Sequence, residues 1–166
     1  MRLTELLSTD RVGIKRAEEL ESRGSWPGRG DVSKEQAIAT LSGLLARGTG
    51  IAAETIERVL LERERLQSTG IGDGVAIPHG AMSEVEQQCA ALLVVPDGLD
   101  FDAIDGSKVK LLFAVVGPKK ATGEHLKTLA RVSRLLRNRD FREQLIASED
   151  PRAAYELIAA EEGGMR

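Results

Sequence analysis

Aromatic side chains are scarce in this chain: Phe, Trp and Tyr make up 3% of its 166 residues. A chain so poor in aromatics has few platforms on which nucleic-acid bases could stack. The net charge of −3 also lacks the basic excess that is typical of nucleic-acid-binding proteins. We therefore expect no nucleic-acid partner, and we expect Leu, Ile, Val and Ala to fill the core.

Cysteine and long apolar segments are also nearly missing. The single cysteine, Cys89, cannot form an internal disulfide. No apolar run approaches the roughly 20 residues that cross a bilayer, and the N-terminus lacks the apolar stretch of a signal peptide. These absences predict a cytoplasmic protein that does not insert into a membrane and reaches one only through a partner.

The chain length and its 42% of hydrophobic residues fit one domain, so residues 1–166 are predicted to form a single unit. Residues 22–31 concentrate Gly, Pro and Ser and are predicted to be a loop. Trp26, inside this loop, is predicted to be a packing anchor.

Hydrophobic periodicity predicts alternating helices and strands along the rest of the chain. Ser33 is a good N-cap, and Gly48 is expected to end the helix that Ser33 starts. Thr122 is expected to cap a later helix, which buries Leu126 and Leu129. The predicted helices span residues 3–7, 33–48, 54–66, 123–139, 140–147 and 151–160. The predicted strands span residues 11–15, 75–77, 89–95 and 109–116. This order predicts an α/β fold, a mixed sheet of about four to five strands flanked by helices on both faces.

The stretch 68–80, Ser-Thr-Gly-Ile-Gly-Asp-Gly-Val-Ala-Ile-Pro-His-Gly, is the most informative part of the sequence. Gly70, Gly72 and Gly74 allow positive φ and close backbone approach, which suits a loop whose N–H groups hold a phosphate. Pro78 ends the predicted strand before it, so that His79 is presented at a strand's end. A dinucleotide site is disfavoured, because no helix follows the glycines in a βαβ unit.

A histidine alone does not indicate a catalytic site, since most histidines lie on the surface or are hydrogen-bonded within a core. A metal bound by His79 and His125 would lack enough further ligands. The carboxylates of Asp100, Asp102 and Asp105 are interpreted as turn residues, because no third ligand stands at a fixed spacing. We therefore predict neither a metal nor a cofactor.

Several motifs together resemble one known family. The stretch 68–80 contains S-T-G-I-G-x-G-x-A-I-P-H, and it is accompanied by residues 60–64 upstream and by residues 99–106 and 125–136 downstream. In this combination they resemble the IIA component of the bacterial phosphoenolpyruvate-dependent sugar phosphotransferase system, fructose/mannitol type. The resemblance covers roughly residues 33–160. The loop at 22–31 departs from the family, in which a shorter link joins the first strand and helix.

The resemblance implies a phosphotransferase component that works through a phosphohistidine at His79. It implies that His125 contacts the phosphate and that Arg63 is the active-site arginine, with Arg65 as a local alternative. The glycine loop and the hydroxyl of Thr69 are expected to help hold the phosphoryl oxygens. A partly apolar acceptor surface is expected around His79, with candidate residues Ile71, Val75 and Met82.

Three functions stay open at this point. The chain is expected to accept phosphate from an HPr-like phosphocarrier and to act as a regulator of the nitrogen-related branch, binding a regulatory target protein. The first alternative is a sugar-specific IIA component that passes phosphate to a IIB permease subunit. The second is a non-catalytic interaction module. The sequence of residues 68–80 favours the regulatory branch. So does the expectation of a chain without an appended permease or IIB-like domain.

Overall fold

The computed structural model of the chain describes residues 2–16 and 32–164. Six strands form one mixed sheet in the order β1-β5-β6-β3-β2, and β4 also pairs with β6. The strands are β1 (Val12–Ile14), β2 (Gly70–Gly72), β3 (Val75–Ala76), β4 (His79–Met82), β5 (Cys89–Leu99) and β6 (Val109–Pro118). The α/β prediction is therefore confirmed, with one strand more than the upper number expected.

Helices cover both faces of this sheet. They are α1 (Leu3–Leu6), α2 (Lys34–Thr49), α3 (Ala53–Leu66), α4 (Thr122–Leu135), α5 (Arg139–Ile146) and α6 (Pro151–Gly163), and a 3₁₀ turn covers Thr9–Arg11. None of the helices in the described part of the chain is long and apolar enough to span a membrane. The loop predicted at residues 22–31 and its Trp26 lie outside the described residues.

Alternate residues of the two central strands supply two separate cores. Leu93 of β5 and Leu112 of β6 point into the core that α2 and α3 cover. Their neighbours Leu92 and Phe113 point into the core that α1, α4, α5 and α6 cover. Because successive side chains of a strand face opposite ways, a strand buried on both faces is apolar throughout. This is why the continuous apolar runs predicted both strands, although β5 runs on to Leu99 and β6 to Pro118, past the ends predicted at residues 95 and 116.

The ends of α2 and α4 correct two predictions. Ser33 does cap α2, in a capping box with Gln36, but the helix runs through Gly48 and stops at Gly50, whose φ is +74°. Thr122 is already the first residue of α4, and the N-cap position belongs to Ala121. A left-handed φ at the C-cap favours glycine, so Gly50 and not Gly48 ends α2.

The first two turns of α4 bury other residues than predicted, whereas Val132, Leu135 and Leu136 are buried as the periodicity indicated. Leu126, expected in the buried stripe, is 61% exposed, and Leu129 is half-buried. The buried positions of α4 are His125, Thr128, Val132 and Leu135. Two polar residues thus occupy the face that apolar residues were expected to fill, and His125 is turned towards the sheet.

The two ends of the described chain are joined by a buried carboxylate. Glu162 of α6 is 2% exposed and accepts hydrogen bonds from the backbone N–H groups of Leu3, at 2.7 Å, and Thr4, at 3.0 Å. Arg131 pairs with it from α4 at 2.8 Å. Burial alone would raise the pKa of Glu162, but these donors hold the pKa below its usual value. The carboxylate satisfies free N–H groups at the start of α1, which would otherwise be buried without partners.

Candidate active site

His79 lies at a break between two strand segments. β3 pairs in parallel with residues 111–112 of β6, and β4 pairs in parallel with residues 115–118 of the same strand. Between them, the carbonyl of Pro78 accepts a hydrogen bond from Val115 N at 3.0 Å. Proline donates no hydrogen bond, so the ladder is interrupted and His79 starts the next segment. The prediction that His79 follows a strand's end is therefore incomplete, because β4 begins at His79 itself.

The imidazole of His79 is held in one tautomer. Its Nδ1 lies 2.7 Å from the carbonyl oxygen of Ile77. Because a carbonyl only accepts, Nδ1 must carry the proton, which leaves the lone pair of the neutral ring on Nε2. Burial, assisted by the charge of Arg63, holds the pKa of His79 below its usual 6.5, despite opposing effects of Ile77 and Glu64. This direction favours an uncharged ring at neutral pH, with the lone pair on Nε2.

His125 faces His79 from the first turn of α4. The two ring centroids are 5.7 Å apart, and the rings are tilted by 49°. His125 is 8% exposed, and burial together with His79 lowers its pKa. The first turn of a helix offers unpaired N–H groups and the positive end of the helix dipole. His125 therefore lies at the end of α4 that favours a bound anion.

A cavity of about 380 Å³ opens beside His79. Its walls include Arg63 and Thr69 from the predicted site, and the apolar side chains of Ile71 and Leu129. The guanidinium of Arg63 donates one hydrogen bond to the carbonyl of Gln67 at 2.8 Å. This bond fixes the side chain near the ring while four of the five guanidinium hydrogens stay available.

Thr69 is held by a carboxylate to which the sequence motifs gave no role. Glu64, 6% exposed, accepts from Thr69 N at 3.0 and 3.1 Å and from the hydroxyl of Thr69 at 2.6 Å. Lys34 pairs with Glu64 at 2.9 Å and also reaches Asp102 at 3.3 Å. Burial would lower the pKa of Lys34, but the two carboxylates raise it above its usual value. The hydroxyl proton of Thr69 is therefore donated to Glu64 and is not available for a phosphoryl oxygen.

The three glycines form a hairpin. β2 and β3 are antiparallel neighbours, and Asp73 and Gly74 at their connection have φ of +57° and +78°. Asp105 accepts a hydrogen bond from Asp73 N at 3.1 Å, and a Cβ atom on Gly72 would lie 3.3 Å from the same carboxylate. Two successive residues with positive φ make the tight turn that hairpins favour.

Comparison with known proteins places this arrangement in a family. Residues 31–161 match the family model described as "Phosphoenolpyruvate-dependent sugar phosphotransferase system, EIIA 2". A nitrogen regulatory protein of Bradyrhizobium diazoefficiens is 40% identical over 127 residues, which are 76% of this chain and 83% of that protein. The chain belongs to the EIIA type 2 family.

Solved structures agree with this assignment. The nitrogen regulatory protein IIA-Ntr of Neisseria meningitidis has a TM-score of 0.79 at 29% identity, covering 94% of this chain and 98% of that one. Mannitol enzyme IIA of Escherichia coli, solved with phosphorylated enzyme IIB, has a TM-score of 0.71 at 19% identity, covering 93% and 99%. The second likeness shows the fold alone.

The EIIA structure brings some of the predicted site residues together. His79 and His125 face one another, and Arg63 and Thr69 line the cavity at His79. Arg65 is an exposed residue of α3. The glycines predicted to bind phosphate, Gly70, Gly72 and Gly74, build the hairpin instead, and none is among the residues that line this cavity. Their phosphate-binding role stays a prediction that the geometry does not favour.

The predicted acceptor surface of this EIIA protein needs correction. Ile71 is 46% exposed, as a contact residue must be, but Val75 and Met82 are each 1% exposed and belong to the two cores. Leu126 is exposed where burial was expected. Of the three residues predicted for this surface, Ile71 alone is exposed enough for contact with a partner, and it also lines the cavity beside His79.

Asp100 and Asp105 accept hydrogen bonds in local turns, as the sequence indicated, whereas Asp102 pairs with Lys34 at 3.3 Å. Asp100 accepts from Asp102 N, and Asp105 accepts from Ser107 N and Asp73 N. Among residues 2–16 and 32–164, no group of three or more His, Cys, Asp and Glu side chains is placed to hold a metal.

Proposed function

We propose that this EIIA protein is a phosphoryl carrier of the nitrogen-related type, and that His79 Nε2 carries the phosphoryl group. The donor is the phosphohistidine of a small HPr-like carrier protein. As the new Nε2–P bond forms, the N–P bond in the donor breaks; the donor ring, protonated on its other nitrogen, keeps the bonding electron pair and leaves as a neutral imidazole. A neutral imidazole is nucleophilic at pH 7, and the phosphoramidate that it forms transfers on readily.

The hydrogen bond from His79 Nδ1 to the Ile77 carbonyl, at 2.7 Å, carries this proposal. It determines which nitrogen has the lone pair, and it fixes the plane of the ring. The Nδ1 proton remains on the ring after transfer, so neither transfer step needs a separate general base. Catalysis then depends on in-line positioning and on groups that stabilise the equatorial oxygens.

Three groups are proposed to stabilise these oxygens. Arg63 supplies positive charge from the wall of the cavity, the ring of His125 faces His79, and the N–H groups at the start of α4 are proposed as the third group. Thr69 has a positioning role in this scheme, because its hydroxyl donates to Glu64. Positive and N–H groups fixed in advance cost little reorganisation when the phosphoryl group arrives.

The acceptor is proposed to be a regulatory target protein. The relative from Bradyrhizobium diazoefficiens, which is a nitrogen regulatory protein, supports this branch with its 40% identity. The alternative is a IIB permease subunit, as in the solved pair of mannitol IIA with phosphorylated IIB, whose IIA chain is 19% identical. The higher identity favours the regulatory branch, in which phosphorylation changes the binding to other proteins.

Incubation with phosphoenolpyruvate, enzyme I and an HPr-like carrier tests the proposal. We expect the intact mass to rise by a single phosphoryl group that is labile in acid, as a phosphoramidate is, and the mass to stay constant when any one component is omitted. A protein that gains no phosphate from the complete mixture, although the carrier in the same tube is phosphorylated, would refute the proposed function.

Substitution of His125 tests its contact with the phosphoryl group. His125→Ala should still take phosphate from the carrier, more slowly, and should be markedly impaired in passing it on. A hydrogen bond to a charged group is worth about 1.5 to 3 kcal/mol, or roughly one to two decades in rate. Quench-flow measurement of each half-reaction gives the two rates. Glu124→Ala, an exposed neighbour on α4, is the control, and wild-type rates in both steps for His125→Ala would remove His125 from the site.

A further inference from the structure

Two buried polar atoms lie behind the active site without partners. Among the residues that the structure describes, Nδ1 of His125 and Oε1 of Gln88 are the buried side-chain atoms that make no hydrogen bond. Buried polar groups are almost always paired, so two unpaired atoms on adjoining side chains need an explanation. Nothing in the proposed transfer steps uses Gln88.

The backbone places these two side chains against the same point. Cys89 of β5 pairs with Val116 of β6 in antiparallel register, so the next pair brings Gln88 opposite Gly117. A Cβ atom on Gly117 would lie 3.1 Å from Gln88 Cγ, 3.9 Å from Gln88 Cδ and 3.1 Å from His125 Nδ1. Gly117 thus leaves the space that both side chains share. Any larger residue there would separate them.

We infer that Gln88 is a positioning residue whose Oε1 accepts a hydrogen bond from Nδ1–H of His125. In this inferred arrangement the Gln88 amide rotates until Oε1 accepts from Nδ1–H, which gives both unpaired atoms a partner. An amide oxygen is only an acceptor, so the bond selects the Nδ1–H tautomer of the neutral ring. Nε2 of His125 is then the nitrogen that can contact the phosphoryl group on His79.

This arrangement gives His125 two separate tasks at its two nitrogens. Without phosphate, its lowered pKa keeps the ring neutral. A phosphoryl dianion on His79 favours the protonated ring, because an opposite charge nearby stabilises the charged form. Nε2 then takes a proton from water and donates it to a phosphoryl oxygen, while Nδ1–H stays bonded to Gln88. Gln88 therefore holds the ring in place through both states. The last two steps rest on the proposed function, whereas the tautomer does not.

Nuclear magnetic resonance of ¹⁵N-labelled imidazoles tests the tautomer in the unphosphorylated protein, at a pH where both histidines are neutral. We expect wild-type His125 to show a protonated Nδ1. Gln88→Leu should lose this preference, whereas Gln88→Glu should keep it, because a carboxylate is also an acceptor. Gln87→Leu, which changes the exposed neighbour, is the matched control. A protonated Nε2 in the wild type, or an unchanged tautomer in Gln88→Leu, would overturn the inference.

Transfer rates give the second readout. Gln88→Leu should slow onward transfer by roughly fivefold, the effect of losing one ordinary hydrogen bond, and Gln88→Glu should recover most of the rate. If wild-type protein gains no phosphate, the proposed function fails, but the tautomer result still decides the role of Gln88. If phosphorylation is normal and the tautomer in Gln88→Leu is unchanged, only the role of Gln88 fails.

Discussion

His79→Ala should gain no phosphate from phosphoenolpyruvate, enzyme I and an HPr-like carrier, while the wild-type protein is fully labelled under the same conditions. The substitution removes Nε2, which is the attacking atom in the proposed transfer. Neither Arg63 nor Thr69 offers a substitute nucleophile, because a guanidinium has no lone pair to give and the Thr69 hydroxyl donates to Glu64. Intact mass measures the result directly.

The fold of this variant should survive, which keeps the experiment interpretable. The ring of His79 is half-buried, and its loss removes one hydrogen bond to Ile77, worth about 1 kcal/mol. Circular dichroism should therefore match the wild type. His125→Ala serves as the matched control, because it removes the facing ring and is still expected to accept phosphate. Full labelling of His79→Ala would show that another residue carries the phosphoryl group.

The central strands could be predicted because their signal is local. β5 and β6 are buried on both faces, so their sequences are continuous apolar runs. β4 was missed because its four residues, His-Gly-Ala-Met, form no such run, and its position depends on pairing with residues 115–118, more than thirty positions along the chain. A short parallel strand of this kind is specified by its partner and not by its own composition.

The glycine stretch shows a different limit. Positive φ at Gly74 suits both an anion-binding loop and a hairpin turn, and the sequence pattern does not separate the two. The deciding group is Asp105, a carboxylate that occupies the position opposite Asp73 N. This contact, over 32 residues of separation, fixes the hairpin geometry that the local sequence left ambiguous, while phosphate binding by the glycines stays a prediction.

Helix α4 shows why the histidine pair was only partly foreseen. By periodicity alone, a stripe through Leu126 and Leu129 is as acceptable as the observed one through His125 and Val132. A helix that buries polar residues for function carries a misleading hydrophobic pattern. The family resemblance, and not the periodicity, supplied the expectation for His125.

Glu64 was within reach of sequence analysis. It continues the buried stripe of α3 at spacing of four, after Ile56 and Leu60. A carboxylate at such a position needs partners, because a buried charge is rarely left unpaired. Lys34 and Thr69 are those partners, and the structure places both at contact distance.

Glu64→Ala should lower the free energy of unfolding by about 3 kcal/mol, a larger loss than we expect for His79→Ala. The change leaves the backbone N–H and the hydroxyl of Thr69 without an acceptor in a buried position. It also removes the shorter of the two carboxylate contacts of Lys34, 2.9 Å against 3.3 Å for the exposed Asp102. Breaking a buried ion pair by removing one member typically costs about 3 to 5 kcal/mol, and an exposed remaining partner reduces this. A domain of this size should lose roughly 6 to 12 °C in Tm.

Thermal and urea denaturation measure this loss, and two further variants separate its causes. Glu62→Ala changes an exposed carboxylate on the same helix and should shift the free energy of unfolding by no more than about 0.5 kcal/mol. The double variant Lys34→Met with Glu64→Leu should recover part of the stability, because apolar replacement of a whole buried pair is often neutral. It should nevertheless transfer phosphate more slowly than the wild type, since Thr69 N and the neighbouring Arg63 lose the carboxylate that orders this end of α3. A Glu64→Ala protein as stable as Glu62→Ala would show that the Lys34–Glu64 pair does not contribute as the structure indicates. Normal phosphate transfer by the double variant would show that Lys34, Glu64 and Thr69 do not position the site.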